Sequence, residues 1–241
     1  MTLSIILVGI EGGVNLGLIL RASENFEVDD IRLVDPKLTD EDFELAEIFA
    51  SKAKEKLRKI NIFDNLDESL RDLDIAFATS AKTATRTGDF RRRFITPQEA
   101  VEIATRYKGK VGIVFGREST GLTTEEIDKC DLLIHIPTSE RYRALNLSHS
   151  VAIILYEFYK YDKKPGKKGA SKHLRTLILE SFKELTKYTT RNTDYADRAY
   201  TAFKNILNRG VPDEREAQIV LGVFRKANNL ISKYINMNRR H

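Results

Sequence analysis

The chain has 241 residues, 41% of them apolar, which allows a buried core in one large domain or a medium domain with a small companion. Its 40 Lys and Arg against 35 Asp and Glu leave a net charge of +5, a mild excess that by itself selects no partner. The single cysteine, Cys130, excludes an internal disulfide, a multi-cysteine zinc site and a CxxC redox pair, so a reducing cytosolic setting is expected.

The opening MTLSIILVGIEGG has no basic stretch ahead of its apolar run, and Glu11 cuts that run well below membrane-spanning length. Neither a signal peptide nor a transmembrane helix is expected, and the protein is expected in the cytoplasm. Short β-branched runs then alternate with amphipathic segments. Strands are predicted over 4–10, 31–35, 74–79, 111–116 and 132–137. Helices are predicted over 14–26, 40–57, 66–73, 97–107, 124–130 and 147–161. Repeated βα order implies a mostly parallel open sheet with helices on both faces, whose ligands collect at the carboxyl ends of the strands.

Beyond residue 160 the charge changes sign. Residues 161–241 hold 18 Lys and Arg against 8 Asp and Glu, and residues 1–160 hold 22 against 27. YDKKPGKKGA, residues 161–170, reads as a basic linker between a domain over 1–160 and a small all-α extension over 171–241. The extension predicts helices over 172–189, 195–207 and 213–237. A basic module appended to an acidic one suggests polyanion binding, with a solubilising charged face as the alternative.

The glycines at 9, 12, 13 and 17 do not meet GxGxxG, and no P-loop, HExxH or GxSxG occurs. His135, His149, His173 and His241 are not at metal-ligand spacing, and no metal is expected. On local grounds Asn15 reads as a helix N-cap, Arg21 as an exposed arginine paired with Glu24, Thr123 with Glu126 as a capping box, and Asn146 as a second N-cap. These readings leave Arg117, Glu118 and Ser119 unexplained.

NLGLILRASENF at 15–26, IVFGRESTGLTTEEI at 113–127 and IHIPTSERYRALNLSHSVAI at 134–153 resemble, in order and spacing, the three motifs of the SPOUT RNA methyltransferases. The branch they resemble most is TrmJ, which 2′-O-methylates tRNA at nucleotide 32 of the anticodon loop. The resemblance implies a C-terminal trefoil knot, S-adenosylmethionine as cofactor, and a homodimer; nothing in the periodicity indicates a knot, which base rates would reject. It also implies roles for Arg21 as the catalytic arginine, Asn15, the motif-two Glu118 and the motif-three Asn146 around the target ribose. Cofactor contacts are implied from Thr79, Ser80, Gly116, Ile136, Ala144 and Leu145. Ala144 departs from the serine usual at its position. For RNA, Arg86, Arg91, Arg92, Arg93 and Arg117 lie where phosphates are expected, and Lys163, Lys164, Lys167 and Lys168 would add salt-sensitive affinity.

A guanidinium stays protonated at neutral pH, so a general-base role for Arg21 is chemically awkward. The reading adopted is that it orients the ribose hydroxyl and neighbouring phosphate and stabilises developing alkoxide charge. A ribosomal RNA substrate, or a noncatalytic RNA-binding or chaperone protein on the same fold, are the competing readings.

Overall fold

The computed structural model describes residues 1–81, 94–107, 109–161, 169–190 and 192–238. Seven strands form one sheet in the order β3-β2-β1-β6-β4-β7-β5, and every pairing is parallel. They are β1 (Thr2–Val8), β2 (Asp30–Val34), β3 (Asn61–Phe63), β4 (Ile75–Thr79), β5 (Phe94–Ile95), β6 (Lys110–Phe115) and β7 (Leu132–Ile134). All five predicted strands are present. The two additional ones, β3 and β5, are short edge strands, too brief to produce an alternation signal.

The sheet is buried on both faces because its residues alternate. Ile5, Leu7, Ile75, Phe77, Val111, Ile113 and Phe115 face one core cluster, and Ile6, Val8, Ala76, Ala78 and Val114 face the other. The first face is covered by α1 (Gly13–Asn25), α4 (Pro97–Tyr107) and α6 (Leu147–Lys160), and the second by α3 (Leu66–Leu70) and α5 (Thr124–Lys129). A further helix, α2 (Asp40–Ala50), packs closely on α1. Gly17 permits this approach, since a Cβ there would stand 2.6 Å from the Ala46 carbonyl oxygen.

The helix predicted over 40–57 is instead α2 followed by a 3-10 helix at Ser51–Lys59. The break falls at Ser51, whose φ is 54°. Beyond it, Lys56 is drawn inward to donate to the Val28 carbonyl at 2.7 Å and to Asp29 at 2.9 Å. Tertiary contacts override the helical preference of SKAKEKLRK.

Three helices complete the chain: α7 (Lys172–Thr189), α8 (Thr193–Gly210) and α9 (Glu214–Asn238). They enclose a cluster of their own around Leu174, Ile178, Leu207, Ala217 and Leu221. Phe182, Phe203 and Phe224 extend it, with the first two stacked at 4.3 Å. The buried Arg175 ties this layer to the sheet: it donates to the Asp74 carbonyl and, at 2.8 Å, to Asn208 Oδ1, and it lies over the Tyr107 ring. Asp74 and Tyr107 precede β4 and β6, so the helical layer docks at the amino ends of the strands.

Candidate active site

At the opposite, carboxyl ends, three segments distant in sequence converge. The β1–α1 connection brings Glu11 and, one turn into α1, Asn15; the loop after β6 brings Glu118; the start of α6 brings Asn146. Asn15 Nδ2 donates to Glu118 Oε1 at 3.0 Å, and Asn146 Nδ2 donates to Asn15 Oδ1 at 3.0 Å. The Glu11 backbone N–H donates to Glu118 Oε2 at 2.9 Å. Asn146 Oδ1 accepts from the Ser148 N–H at 2.8 Å and from Ser148 Oγ at 2.7 Å.

This chain of hydrogen bonds has only one direction. The Ser148 N–H cannot accept, so it fixes the Asn146 oxygen; the Asn146 amide must then donate to the Asn15 oxygen, and the Asn15 amide must donate to the carboxylate. Glu118, with both oxygens engaged by donors, is the terminal acceptor of the network. Each asparagine amide keeps a second N–H for a ligand. Asn146 is thus both the expected cap of α6 and a member of the site. Asn15 is not a cap: the residue preceding α1 is Gly12, without a side-chain cap, and Asp42 of α2 accepts the Gly13 N–H at 3.1 Å instead.

Arg21 is not brought to this network within the chain. Six residues along a helix turn it about 120° from Asn15 and carry it about 9 Å further along. It lies exposed on the stripe that also presents Val14, with no hydrogen bond or ion pair to any described residue. The pairing expected with Glu24 does not form; Glu24 is 3.1 Å from Lys56 instead. Arg117 also differs from expectation. Its guanidinium makes a two-pronged contact with Glu126 at 3.0 and 3.1 Å, turned into the fold rather than outward as a phosphate grip. Glu126 in addition closes the expected capping box with Thr123. Arg86, Arg91, Arg92, Arg93, Lys163, Lys164, Lys167 and Lys168 lie outside the described residues.

The residues expected around a cofactor sit at the carboxyl ends of three neighbouring strands. Thr79 closes β4 and donates to the Val114 carbonyl at 3.0 Å, and Ser80 donates through its N–H to the Ile134 carbonyl at 3.0 Å. Gly116 follows β6. Its bare Cα allows close approach of the chain's own loop, since a Cβ there would stand 2.2 Å from the Gly121 carbonyl carbon. Ile136 and Leu145 are half-buried, Ala144 is exposed, and all three flank the segment leading to Asn146. Among the described residues, Ile136, Ala144 and Leu145 make no backbone hydrogen bond. Sequence reasoning missed Glu11, Ser119 and Ser148; Ser119 and Ser148 stood in the quoted motifs without a role, and Glu11 stood outside them.

The profile of the SpoU rRNA Methylase family matches residues 2–156. This chain belongs to the SpoU methylase family. Among relatives of this SpoU methylase, a tRNA (cytidine-2′-O-)-methyltransferase TrmJ of Methanocaldococcus jannaschii is 37% identical over 235 residues, covering 92% of this chain and 98% of the relative. A TrmJ of the same description from Sulfolobus acidocaldarius is 35% identical, covering 94% and 93%. The crystal structure of TrmJ from Z. mobilis superposes with a TM-score of 0.68 at 24% identity, over 94% of this chain and 99% of that one, a likeness of fold. A methylase needs a seat for its methyl donor. Among the described residues, the backbone groups at 136, 144 and 145 that make no hydrogen bond lie beside the apolar Ile136 and Leu145, a lining that suits a flat, partly apolar ligand. Among the described residues no cluster of His, Cys, Asp or Glu could hold a metal ion, and no helix is long and apolar enough to cross a membrane.

Proposed function

We propose that this SpoU methylase transfers a methyl group from S-adenosylmethionine to a ribose 2′-hydroxyl of tRNA, at nucleotide 32 of the anticodon loop, and that it works as a homodimer. The observation that carries the reading is the Asn15–Glu118–Asn146 network at the strand ends, in a chain that aligns along almost its whole length with two tRNA (cytidine-2′-O-)-methyltransferases. The cofactor would supply an electrophilic methyl on a sulfonium, held by Thr79, Ser80, Gly116, Ile136, Ala144 and Leu145.

The remaining work falls to the chain's own side chains. The spare amide protons of Asn15 and Asn146 orient the ribose and its phosphate, and Glu118 keeps both amides aimed. Arg21, permanently protonated, grips the target hydroxyl and stabilises the alkoxide as the proton leaves for a substrate phosphate or water. Its isolation from the network supports a site completed across a dimer. Val14 on α1 is 37% exposed, and on the adjoining α6 Ile153 is 37% and Tyr156 52% exposed, an apolar surface continuous with the Arg21 stripe. The knot that the family likeness implies belongs to the same reading, with β4 lying between β6 and β7 in the sheet.

RNA contacts are supported by two features. Tyr142, 79% exposed between Arg141 and Arg143, stands on the loop that leads to Asn146. From residue 217 to 238, α9 carries Arg225, Lys226 and Lys233 and no acidic residue. By their charge in the sequence, Lys163, Lys164, Lys167, Lys168, Arg86, Arg91, Arg92 and Arg93 are proposed to contact RNA as well. The test is to treat total RNA with the protein and labelled cofactor and map the methylated nucleotide. A 2′-O-methyl at tRNA nucleotide 32 is expected; methylation of ribosomal RNA, or none, overturns the proposal.

A further inference from the structure

Ser119 follows Glu118 in the loop after β6, and neither capping nor the motif reading gives it a role. In the structure it has one. Its N–H donates to Glu11 Oε2 at 3.1 Å and its hydroxyl to Glu11 Oε1 at 2.8 Å. The contact is reciprocal, because the Glu11 N–H donates in turn to Glu118 Oε2 at 2.9 Å. Two loops whose joined residues lie 107 and 108 positions apart in the chain are thus held by three charge-assisted hydrogen bonds.

We propose that Glu11 is a positioning residue for methyl transfer: by holding both donors of Ser119 it sets the Glu118 carboxylate, and through it the Asn15 and Asn146 amides, in reactive alignment. The inference rests on the methyltransferase reading above. The loop that carries Glu118 turns tightly, with the Gly121 N–H donating to the Arg117 carbonyl at 2.9 Å, and Glu118 stands at its tip. The base of that turn is fixed by Arg117 on Glu126, and the tip by Glu11 on Ser119. Without Glu11 the tip keeps only the contacts that Glu118 itself makes, so the carboxylate that should impose alignment on Asn15 would be free to follow it. A displacement of about 1 Å at a reacting centre can cost on the order of 100-fold in rate.

The chemistry of the partners makes a specific prediction for the amide. Serine's hydroxyl both donates and accepts. In Glu11→Gln the side-chain oxygen can take the Ser119 N–H while the amide donates to Ser119 Oγ, so the clamp survives. In Glu11→Ala it is lost.

The experiment compares wild type, Glu11→Ala, Glu11→Gln, Ser119→Ala and the double variant Glu11→Ala/Ser119→Ala. Single-turnover methyl transfer at saturating tRNA, cofactor affinity by calorimetry and melting temperature are read for each. Expected are a fall in rate of about 10- to 100-fold for Glu11→Ala, recovery to within about threefold of wild type for Glu11→Gln, and a double variant no slower than Glu11→Ala, with cofactor affinity within about twofold throughout. A wild-type rate in Glu11→Ala, losses that multiply in the double variant, or a Gln variant as slow as the Ala variant would each overturn the inference. Should Glu11→Ala fail to fold, Ser119→Ala, which removes only the hydroxyl, must lower the rate on its own. An inactive wild-type protein would instead defeat the methyltransferase reading.

Discussion

Glu118→Gln is nearly isosteric, yet the geometry makes it a severe change. Each Glu118 oxygen accepts from an obligate donor, the Glu11 N–H on one side and Asn15 Nδ2 on the other. A glutamine offers one oxygen and one NH2 group, so one of the two donors must face another donor. Asn15 could flip to present its oxygen, but its amide would then meet the Asn146 amide, and a second flip there would set that amide against the Ser148 N–H. The relay therefore cannot absorb the substitution. A charge-assisted hydrogen bond is worth about 1.5–3 kcal/mol, and partial exposure of this one argues for the low end. Adding the donor–donor contact gives about 2 kcal/mol of lost alignment, or about a 30-fold drop in the methyl-transfer rate. Single-turnover kinetics with labelled cofactor at saturating tRNA measures it, with cofactor affinity as the control. A Glu118→Gln enzyme retaining more than half the wild-type rate would refute the directional network. So would a melting temperature lowered enough to account for the loss. Glu11→Gln, expected to be tolerated because its partner Ser119 Oγ can accept as well as donate, is the matching control.

Arg21→Ala should nearly abolish methylation while leaving cofactor affinity intact, and Arg21→Lys should recover little because the two-pronged guanidinium geometry is lost; parallel kinetics and calorimetry check both. Arg175→Met, which leaves Asn208 and Asp131 at the base of the sheet without their cation, should lower stability by about 3 kcal/mol in a urea titration, with little shift if the helical layer docks by apolar contact alone. Burial pushes the Tyr107 hydroxyl up to about 12. A raised pKa contributes stability that is complete below the unfolded value near 10 and is lost as pH rises toward 12, so Tyr107→Phe should flatten the decline in stability measured between those values. On the acid side, hydrogen bonds from Arg32, then Lys110, outweigh partial burial and hold the Asp72 carboxyl well below the usual carboxylate range. Its contribution is present above the unfolded value near 4 and vanishes as pH falls below it, so Asp72→Asn should unfold with a shallower acid dependence than wild type.

What the sequence could disclose depended on whether the governing interaction was periodic, local or neither. The central strands were legible because 4–10, 74–79 and 111–116 are apolar runs buried on both faces, and the helix predicted over 172–189 is α7 at the same bounds. β3 and β5 left no trace, being two or three residues long at the sheet edges. The break at Ser51 was hidden because the residues after it favour helix, and it is Val28 and Asp29, across the fold, that draw Lys56 out of line. The same division runs through the site. The Thr123–Glu126 box and the Asn146 cap were legible from neighbours two or three residues away, and the grouping of Asn15, Glu118 and Asn146 came only from likeness to a family. Glu11 was visible solely as the residue that ends an apolar run. Arg117 misled because a basic side chain in a ligand-facing loop is chemically suited to phosphate, whereas here Glu126, already oriented by its capping role, receives it. The cap of α5 and the base of the Glu118 loop are therefore one structure, which makes that loop's placement depend on α5. The tip depends equally on Glu11, and the loop's geometry follows from closure at both ends rather than from any preference in GRESTG itself.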